Sequence, residues 1–139
     1  MSQFCSFVYP CDVCDISGTL TKMGNDYALT LQGGTKPHIG TTVMAIPRPS
    51  LTGSGMSATV SCLNRLGHLD DIIAQDIAKR LASATQSVVV CTCGIHIDNA
   101  TPKEITSLQH IGESLTAVIL ENIHHISRDP KETIGGSHE

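Results

Sequence analysis

Residues 33–40 of this sequence combine two adjacent glycines with a lysine and a histidine, a pattern that suits anion binding. Glycine adopts positive φ readily, so a turn at Gly34 would let backbone N–H groups converge on a phosphate or a carboxylate. Lys36 would add a cation, and His38 would add a donor that can titrate. An ordinary glycine turn with an exposed lysine explains the same residues, and the sequence leaves both interpretations open.

Residues 46–57 form a second candidate segment, in which Arg48 stands between two prolines. Proline restrains the backbone on both sides of the guanidinium, which reduces the entropy that Arg48 loses on binding a carboxylate or a phosphate. Ser50 then begins a stretch rich in hydroxyl groups and glycine. Prolines can also simply stiffen a surface loop, but the placement of Arg48 favours a binding role.

A third candidate is the pair formed by His96 and Asp98, followed by Asn99. Residues two apart on an extended chain project to the same side, so the two side chains would lie together. The pair precedes a strongly capped helix, where anions are favoured, and it could take part in acid–base chemistry. With His38 it could instead hold a divalent metal. His68 would join the group if the strand ends converge, whereas the alternative is an ordinary turn after a strand.

The N-terminal region carries a Cys-x2-Cys pair at Cys11 and Cys14, with a third cysteine, Cys5, before it. Such a half-site can hold zinc, although the fourth ligand of a tetrahedral site is not identified by spacing. A reduced segment without metal is the alternative. The other three cysteines lie in apolar runs, where we expect buried thiols: Cys62, Cys91 and Cys93.

Composition limits the classes of function that are open to this chain. It has 139 residues, the length of a single domain, with a net charge of −4. The basic residues are scattered, which argues against a nucleic-acid partner, because such proteins present a basic face. No apolar run is long enough to span a membrane, and the N-terminus lacks the pattern of a signal peptide. We therefore expect a cytoplasmic protein that binds neither nucleic acid nor membrane.

The elements that must position these residues follow from the periodicity of the apolar side chains. Alternation predicts a hairpin over residues 15–31 with its turn at residues 23–26. Further strands are predicted over residues 38–46, 58–63 and 87–97, with a long loop at residues 47–58. Apolar residues at i+4 intervals from Leu69 to Leu81 predict a helix with Lys79 and Arg80 in its last turn. A capping box at Thr101 predicts a second helix, whose apolar stripe reaches Asn122.

The resulting order, β-β-β-β-α-β-α, predicts an α+β protein. Four strands precede the first helix, so the sheet should be mostly antiparallel, with both helices on one of its faces. We expect a two-layer sandwich with an aliphatic core, because aromatic residues make up only 3% of the chain.

Three motifs, taken together, resemble one known family. They are GGTKPHIGTTVMAIPRPS, SCLNRLGHLDDIIA and GIHIDNATPKEI, within residues 29–123. In these motifs the chain resembles the LpdD-like proteins, which are encoded beside UbiD-type decarboxylases of phenolic acids such as gallate. The resemblance implies a homodimer with a proteasome-assembly-chaperone-like fold. The LpdD-like α/β domain would occupy residues 15–126, between a cysteine-bearing segment (residues 1–14) and a flexible polar tail (residues 127–139).

The resemblance also implies a function connected with prenylated flavin mononucleotide (prenylated FMN), the cofactor of those decarboxylases. We expect an accessory protein, a cofactor chaperone rather than an enzyme, that binds prenylated FMN or FMN and assists its maturation or delivery. Its partners would be a UbiD-type decarboxylase and a flavin prenyltransferase. Lys36 and Arg48 would hold the phosphate. The full set of expected cofactor-binding residues is Gly34, Lys36, His38, Arg48, Ser50, His68, His96, Asp98 and Asn99.

Two alternatives stay open at this point. One is a small metal-dependent enzyme that uses the four residues His38, His68, His96 and Asp98. The other is an assembly subunit of the decarboxylase that binds no small molecule. The scarcity of aromatic residues bears on the flavin hypothesis, because a flavin ring would have to lie against aliphatic side chains, proline or arginine, or at a dimer interface.

Overall fold

A computed structural model describes residues 3–65 and 70–127. The strands are β1 (Phe4–Tyr9), β2 (Ile16–Met23), β3 (Asp26–Gly34), β4 (Thr41–Pro49), β5 (Met56–Asn64) and β6 (Val89–His96). The helices are α1 (Asp70–Thr85), α2 (Pro102–Gln109) and α3 (Gly112–Ser127). His68 and most of the predicted tail lie outside the described residues. Among the helices described, none has the length and apolar character needed to cross a membrane.

The six strands form one sheet in the order β1-β2-β3-β6-β4-β5. Only β3 and β6 are parallel, and every other neighbouring pair is antiparallel. Helix α1 packs against β4, β5 and β6, while α3 packs against α1, β1 and β2. The predicted α+β class with a mostly antiparallel sheet is therefore confirmed.

The core lies between one face of the sheet and the helices. Alternate residues of the strands are buried there, and Ile73, Ile77 and Leu81 of α1 meet them at the predicted i+4 interval. Each fully buried aliphatic side chain stabilises the fold by about 1.5–3 kcal/mol relative to an exposed one. The largest fully buried aliphatic side chains from the sheet are Ile16, Leu20, Leu29, Leu31, Val43 and Val89.

The opposite face of the sheet carries no helix in the part of the chain that the structure describes. Its centre is a row of threonines in register across four strands, where Thr42 Oγ1 and Thr92 Oγ1 lie 3.2 Å apart. Large apolar side chains surround this row and are exposed to solvent: Phe4, Val8, Met44, Ile46 and Leu63. We call this surface the open face.

Strand β1 is absent from the predicted order of elements, which set residues 1–14 apart as a separate segment. The strand pairs with β2 along its whole length, and Phe7 covers Gly18, where a Cβ would lie 2.2 Å from the ring. Both sides of β1 are largely apolar, with Cys5 and Phe7 towards the helices and Phe4 and Val8 on the open face. Because the two sides do not differ in polarity, the sequence shows no alternation to indicate a strand.

The predicted long loop at residues 47–58 is wrong, because β4 and β5 form a longer hairpin. Pro47, Arg48 and Pro49 belong to β4 and pair with β5, which leaves a connection over residues 50–55. Pairing between β4 and β6 ends at Ala45. Beyond that residue one side of β4 is an edge, where proline, which has no N–H to donate, does not interrupt a sheet.

The predicted second helix is two helices, α2 and α3. The predicted capping box is present, since Thr101 Oγ1 accepts a hydrogen bond from the Glu104 amide and Glu104 accepts one from the Thr101 amide. Helix α2 ends at Gln109, and α3 begins at Gly112. A Cβ at Gly112 would lie 1.7 Å from the Asp76 carboxylate, so α3 starts in direct contact with α1. Helix α1 continues to Thr85, so its last turn contains no basic residue.

Candidate functional site

One end of the sheet brings together three connections that are far apart in sequence. Gly33 pairs with Ile16, Gly34 with His96, and Thr41 with Cys93. The β1–β2, β3–β4 and β6–α2 connections therefore all leave the sheet at this end. Asp70, the first residue of α1, lies at the same end and contacts the end of β6. Four segments thus meet around Gly34 and His96, and we call this region the histidine end.

The turn at Gly34 closes onto the main chain of β6. The amides of Thr35 and Lys36 both donate to the His96 carbonyl oxygen, at 2.7 and 3.3 Å. Gly34 has φ of +83°, and a Cβ there would lie 2.1 Å from the same oxygen, so the turn requires glycine. The backbone amides expected to converge on an anion are therefore already hydrogen-bonded. The turn therefore places Lys36 and His38 beside β6.

His38 pairs with a buried carboxylate that is absent from the expected site residues. Asp70 is 2% exposed, and its Oδ2 lies 3.3 Å from His38 Nε2. Its Oδ1 accepts a 2.8 Å hydrogen bond from the Ile95 amide. His38 Nδ1 lies 3.1 Å from the Lys36 carbonyl oxygen. The two ring nitrogens of His38 therefore lie near oxygen atoms of two different segments, Asp70 of α1 and the Lys36 carbonyl of the β3–β4 connection.

Asp98 lies between His96 and Lys36. Its Oδ1 is 3.1 Å from His96 Nε2 and 3.5 Å from Lys36 Nζ. The hydrogen bond from His96 lowers the pKa of Asp98 below its ordinary value of 3.8, and Lys36 lowers it further, while partial desolvation opposes the change. The His96 and His38 rings meet edge to face with centroids 6.2 Å apart. The expected proximity of His38, His96 and Asp98 is therefore observed.

Thr35 and Asn99 shape the backbone around this cluster. The Thr35 hydroxyl accepts a 3.0 Å hydrogen bond from the Asp98 amide and donates to the His96 carbonyl oxygen at 3.2 Å. Asn99 has φ of +56°, the left-handed conformation that asparagine tolerates well. Its position in a tight turn is thus accounted for, and its predicted contact with a cofactor stays a prediction.

Arg48 and Ser50 lie away from the histidine end. Arg48 is seven residues beyond Thr41 along β4, which corresponds to roughly 23 Å of strand. Its Nε donates to Thr59 Oγ1 at 3.0 Å and its Nη1 to the Pro49 carbonyl oxygen at 3.2 Å. Ser50 bonds to Thr52 at the hairpin connection. Within one chain the structure does not bring Arg48 and Lys36 to a shared phosphate.

The described residues contain no group of three or more His, Cys, Asp or Glu side chains placed to hold a metal ion. The predicted metal set of His38, His96 and Asp98 is instead arranged as two separate histidine–carboxylate pairs. The predicted zinc set is also not assembled. Cys5 pairs with Leu20 within the sheet, whereas Cys11 and Cys14 lie in the connection after β1.

The buried thiols predicted in the apolar strands are present at Cys91 and Cys93, which are fully covered. Burial raises the pKa of Cys91 to about 12 and that of Cys93 well above its ordinary value. Cys62, on β5, is partly exposed.

Asp70 and Thr35 are the site residues that sequence reasoning misses. Asp70 does carry a signal, since an aspartate in the first turn of a helix matches the helix dipole. The sequence gives no sign of its second contact, with His38. This contact joins α1 to the β3–β4 connection, which is distant in sequence. Such a contact depends on the order of strands in the sheet, and local spacing does not determine that order.

Comparison with known proteins identifies the family. Residues 11–124 match the family described as "Prenylated flavin chaperone LpdD-like domain". The chain belongs to this LpdD-like family. The resemblance noted in its motifs is confirmed, and the matched region extends further towards the N-terminus than those motifs, so that it includes Cys11 and Cys14.

Two individual proteins are similar to this LpdD-like chain. Protein LpdD of Lactiplantibacillus plantarum (strain ATCC BAA-793 / NCIMB 8826 / WCFS1) is 28% identical over 120 residues, which cover 84% of each protein. A chain in the crystal structure of a novel chaperone complex for yeast 20S proteasome assembly is similar in structure, with a TM-score of 0.52 and 12% identity. That alignment covers 90% of this chain and 98% of the other, and it confirms the predicted fold class.

Proposed function

We propose that this LpdD-like protein binds prenylated FMN, or FMN, at the histidine end and passes the cofactor to a UbiD-type decarboxylase of phenolic acids such as gallate. Membership of a prenylated flavin chaperone family supports the chaperone function. One observation supports a site at the histidine end. Lys36, His38 and His96 lie there around the carboxylates of Asp70 and Asp98. A flavin prenyltransferase would supply the cofactor.

The residues at the histidine end fit a flavin by their chemistry. The ring system of a flavin presents both carbonyl acceptors and an N–H donor along one edge, and the site offers histidine donors beside carboxylate acceptors. Ile39, which is 62% exposed, offers apolar surface next to His38. Lys36 has a side chain that is 71% exposed, so its ammonium can turn from Asp98 to a phosphate without losing a buried contact. This set would bind and orient the cofactor, whose ring would supply the chemistry in the decarboxylase that receives it.

We propose further that the chain forms a homodimer through the open face. Six strands about 4.8 Å apart and about 26 Å long present roughly 600 Å² of flat area, which approaches the ~800 Å² that each partner buries in a standard interface. A second copy would cover Met44, Ile46 and Leu63, whose exposure to water is unfavourable. His96 follows the buried Ile95 and so projects on the open-face side. A cofactor at the histidine end would therefore lie next to the second copy.

A cytoplasmic location, expected from the cysteines and the absence of a signal pattern, stays a prediction. The competing hypothesis of an assembly subunit without a small ligand differs from our proposal in one observable respect. A subunit of that kind would be colourless however it is produced.

The test is to produce the full chain together with a flavin prenyltransferase and to record its absorbance spectrum after purification. We expect a flavin spectrum with about one cofactor per chain, and its loss in the double variant Lys36→Ala/His96→Ala. The double variant Lys79→Ala/His124→Ala removes an exposed lysine and an exposed histidine away from the histidine end and should keep the cofactor. A colourless wild-type protein, or equal retention in both variants, would contradict the proposal.

A further inference from the structure

Cys11 and Cys14 lie in the β1–β2 connection, at the histidine end of the sheet. The chain bends at Asp12 and Val13, between the two cysteines. Both thiols are partly exposed and pack at the margin of the core. The backbone of Gly34 lies near the Cys14 thiol and partly offsets the rise in its pKa. Gly34 also pairs with His96 in the sheet, so Cys14 and His96 both lie next to Gly34.

The local backbone is compatible with a disulfide. The chain bends at the two residues that separate Cys11 from Cys14, and disulfides form where two Cα atoms lie about 4.4–6.8 Å apart. The two thiols also interact electrostatically, since Cys11 contributes to a raised pKa of Cys14, for which burial is the larger cause. Because the thiolate is the reactive form, the raised pKa makes the Cys14 thiol less reactive near neutral pH, so formation of the disulfide should become faster as the pH rises.

A zinc site and a purely structural role for the Cys-x2-Cys pair both have less support in this structure. A zinc site needs further ligands, and the described residues contain no group of three that could hold a metal ion. A purely structural thiol is expected to be fully buried, as Cys91 and Cys93 are, whereas Cys11 and Cys14 are not. In reducing compartments, paired cysteines that are not metal ligands commonly form transient disulfides with a redox function.

We propose that Cys11 and Cys14 form a reversible dithiol–disulfide couple that exchanges two electrons with the flavin bound at the histidine end. The two S–H bonds break, and one S–S bond forms between Cys11 and Cys14. The two electrons and two protons released pass to the oxidised flavin ring, which becomes the reduced dihydroflavin. The reverse reaction regenerates the dithiol from reduced flavin. The flavin step rests on the proposed function, whereas formation of the disulfide does not.

The first experiment tests the couple without a flavin. The full chain is equilibrated anaerobically with mixtures of glutathione and glutathione disulfide, free thiols are alkylated, and the peptide that ends at Lys22 is fragmented in a mass spectrometer. This peptide contains Cys5, Cys11 and Cys14, so fragmentation must locate the bond. We expect a mass lower by two hydrogens and a bond between Cys11 and Cys14, with Cys5 alkylated. A glutathione adduct alone, or a bond to Cys5, would overturn the couple.

The second experiment uses FMN as the probe. The reduced protein is mixed anaerobically with oxidised FMN, and the absorbance band of the oxidised flavin is followed together with the count of free thiols. We expect the band to decrease as two thiols are lost per flavin reduced. The variants Cys11→Ser and Cys14→Ser should lose this reaction while still binding FMN, and Cys62→Ser, a partly exposed cysteine on β5, should behave as wild type.

The failures of the two proposals can be told apart. If FMN binds and no thiol is oxidised, the redox inference is wrong and the binding function stands. If glutathione disulfide oxidises the pair but FMN does not bind, the dithiol couple stands, whereas its coupling to FMN and the FMN-binding part of the proposed function are wrong. If Cys62→Ser abolishes flavin reduction as fully as Cys14→Ser does, the assignment of the reaction to the Cys11–Cys14 pair is wrong.

Discussion

Gly94 lies against the main chain of His38, so closely that a Cβ at residue 94 would be 1.5 Å from the His38 carbonyl oxygen. The nearest atoms to such a Cβ are the carbonyl oxygen, carbonyl carbon and amide nitrogen of His38, which belong to the backbone and cannot move aside as a flexible side chain could. The close approach of β6 to the β3–β4 connection is what holds His38 near Asp70 and His96. The histidine end therefore depends on a residue with no functional group.

We expect Gly94→Ala to lower the free energy of unfolding by about 1–3 kcal/mol, the usual cost of overpacking, and to weaken flavin binding by displacing His38. Urea denaturation and flavin titration measure the two effects. Gly24→Ala is the control, because a Cβ there meets nothing within 4 Å and adds only the strain of a positive φ, about 1–2 kcal/mol. Flavin binding that is unchanged in Gly94→Ala would show that this contact does not position the site.

Asp70→Asn should destabilise the protein more than the same change at its neighbour. Asp70 is buried, accepts a hydrogen bond from the Ile95 amide and lies 3.3 Å from His38 Nε2, and a hydrogen bond to a charged group contributes about 1.5–3 kcal/mol. Asp71 bonds to Asn64 at 3.4 Å near the surface, so Asp71→Asn should change stability by about 0.5 kcal/mol or less. Urea denaturation at neutral pH compares the two, and equal effects would contradict this account of Asp70.

The lowered pKa of Asp98 predicts a pH dependence with a defined sign. A carboxylate whose pKa is lower in the folded state contributes stability above its unfolded pKa, and that contribution is lost as pH falls through the folded value. The contribution of Asp98, measured as the difference in stability between wild type and Asp98→Asn by urea denaturation, should therefore be fully present above about pH 5 and should decrease as the pH falls below it.

The same carboxyl can be followed directly by NMR titration. His96 is the main cause of the lowered pKa of Asp98, so His96→Ala should raise that pKa towards its ordinary value of 3.8. Lys36→Ala should raise it by less. A pKa of Asp98 that does not respond to His96→Ala would show that the 3.1 Å contact is not maintained in solution.

The sequence predicts those parts of the fold that local pattern determines. The i+4 stripe of α1, the capping box at Thr101 and the strand that leads to His96 follow from periods of a few residues, and each is present. Strand β1 and the break before Gly112 have no such period. Both sides of β1 are largely apolar, and Gly112 lies in close contact with Asp76 of α1, which is distant in sequence. Contacts between residues that are distant in sequence cannot be predicted from the local spacing of apolar residues.

The candidate site divides in the same way. His38, His96 and Asp98 are predictable as a group, because they flank strands whose ends meet at one edge of the sheet. The flanking prolines predict that Arg48 binds an anion together with Lys36. Arg48 instead lies near the far end of β4, away from the histidine end. The contact of Asp70 with His38 could not be predicted, because the position of Asp70 in the first turn of α1 already explains an aspartate there.

Dimerisation through the open face predicts that a charge there will dissociate the protein. Met44→Lys would place an ammonium among Ile46 and Val90 at the centre of the buried interface, where an unpaired charge is strongly unfavourable. We expect wild-type protein to have the mass of a dimer in light scattering at micromolar concentration, and Met44→Lys to have that of a monomer. Leu51→Lys, at the exposed hairpin connection, is the control. A dimer that survives Met44→Lys would place the interface elsewhere.

The sharpest prediction compares the two cations that the sequence assigns to a phosphate. Lys36 lies at the histidine end, and its contact with Asp98 is exposed, so exchange for a phosphate requires little desolvation. A hydrogen bond to a charged group contributes about 1.5–3 kcal/mol, and about 1.4 kcal/mol corresponds to tenfold in affinity. Lys36→Ala should therefore weaken flavin binding by about tenfold or more, with a change in stability of about 0.5 kcal/mol or less.

Arg48 is the matched control, because its guanidinium is already bonded to Thr59 and Pro49 at the far end of β4. Arg48→Ala should change flavin affinity by about twofold or less, and Lys36→Arg should keep most of the wild-type affinity, since the charge is retained. Flavin titration of the three variants, each with a thermal melt, decides the question. If Arg48→Ala weakens binding as much as Lys36→Ala, the guanidinium must reach the cofactor from a second copy, because within one chain roughly 23 Å of strand separates it from the histidine end.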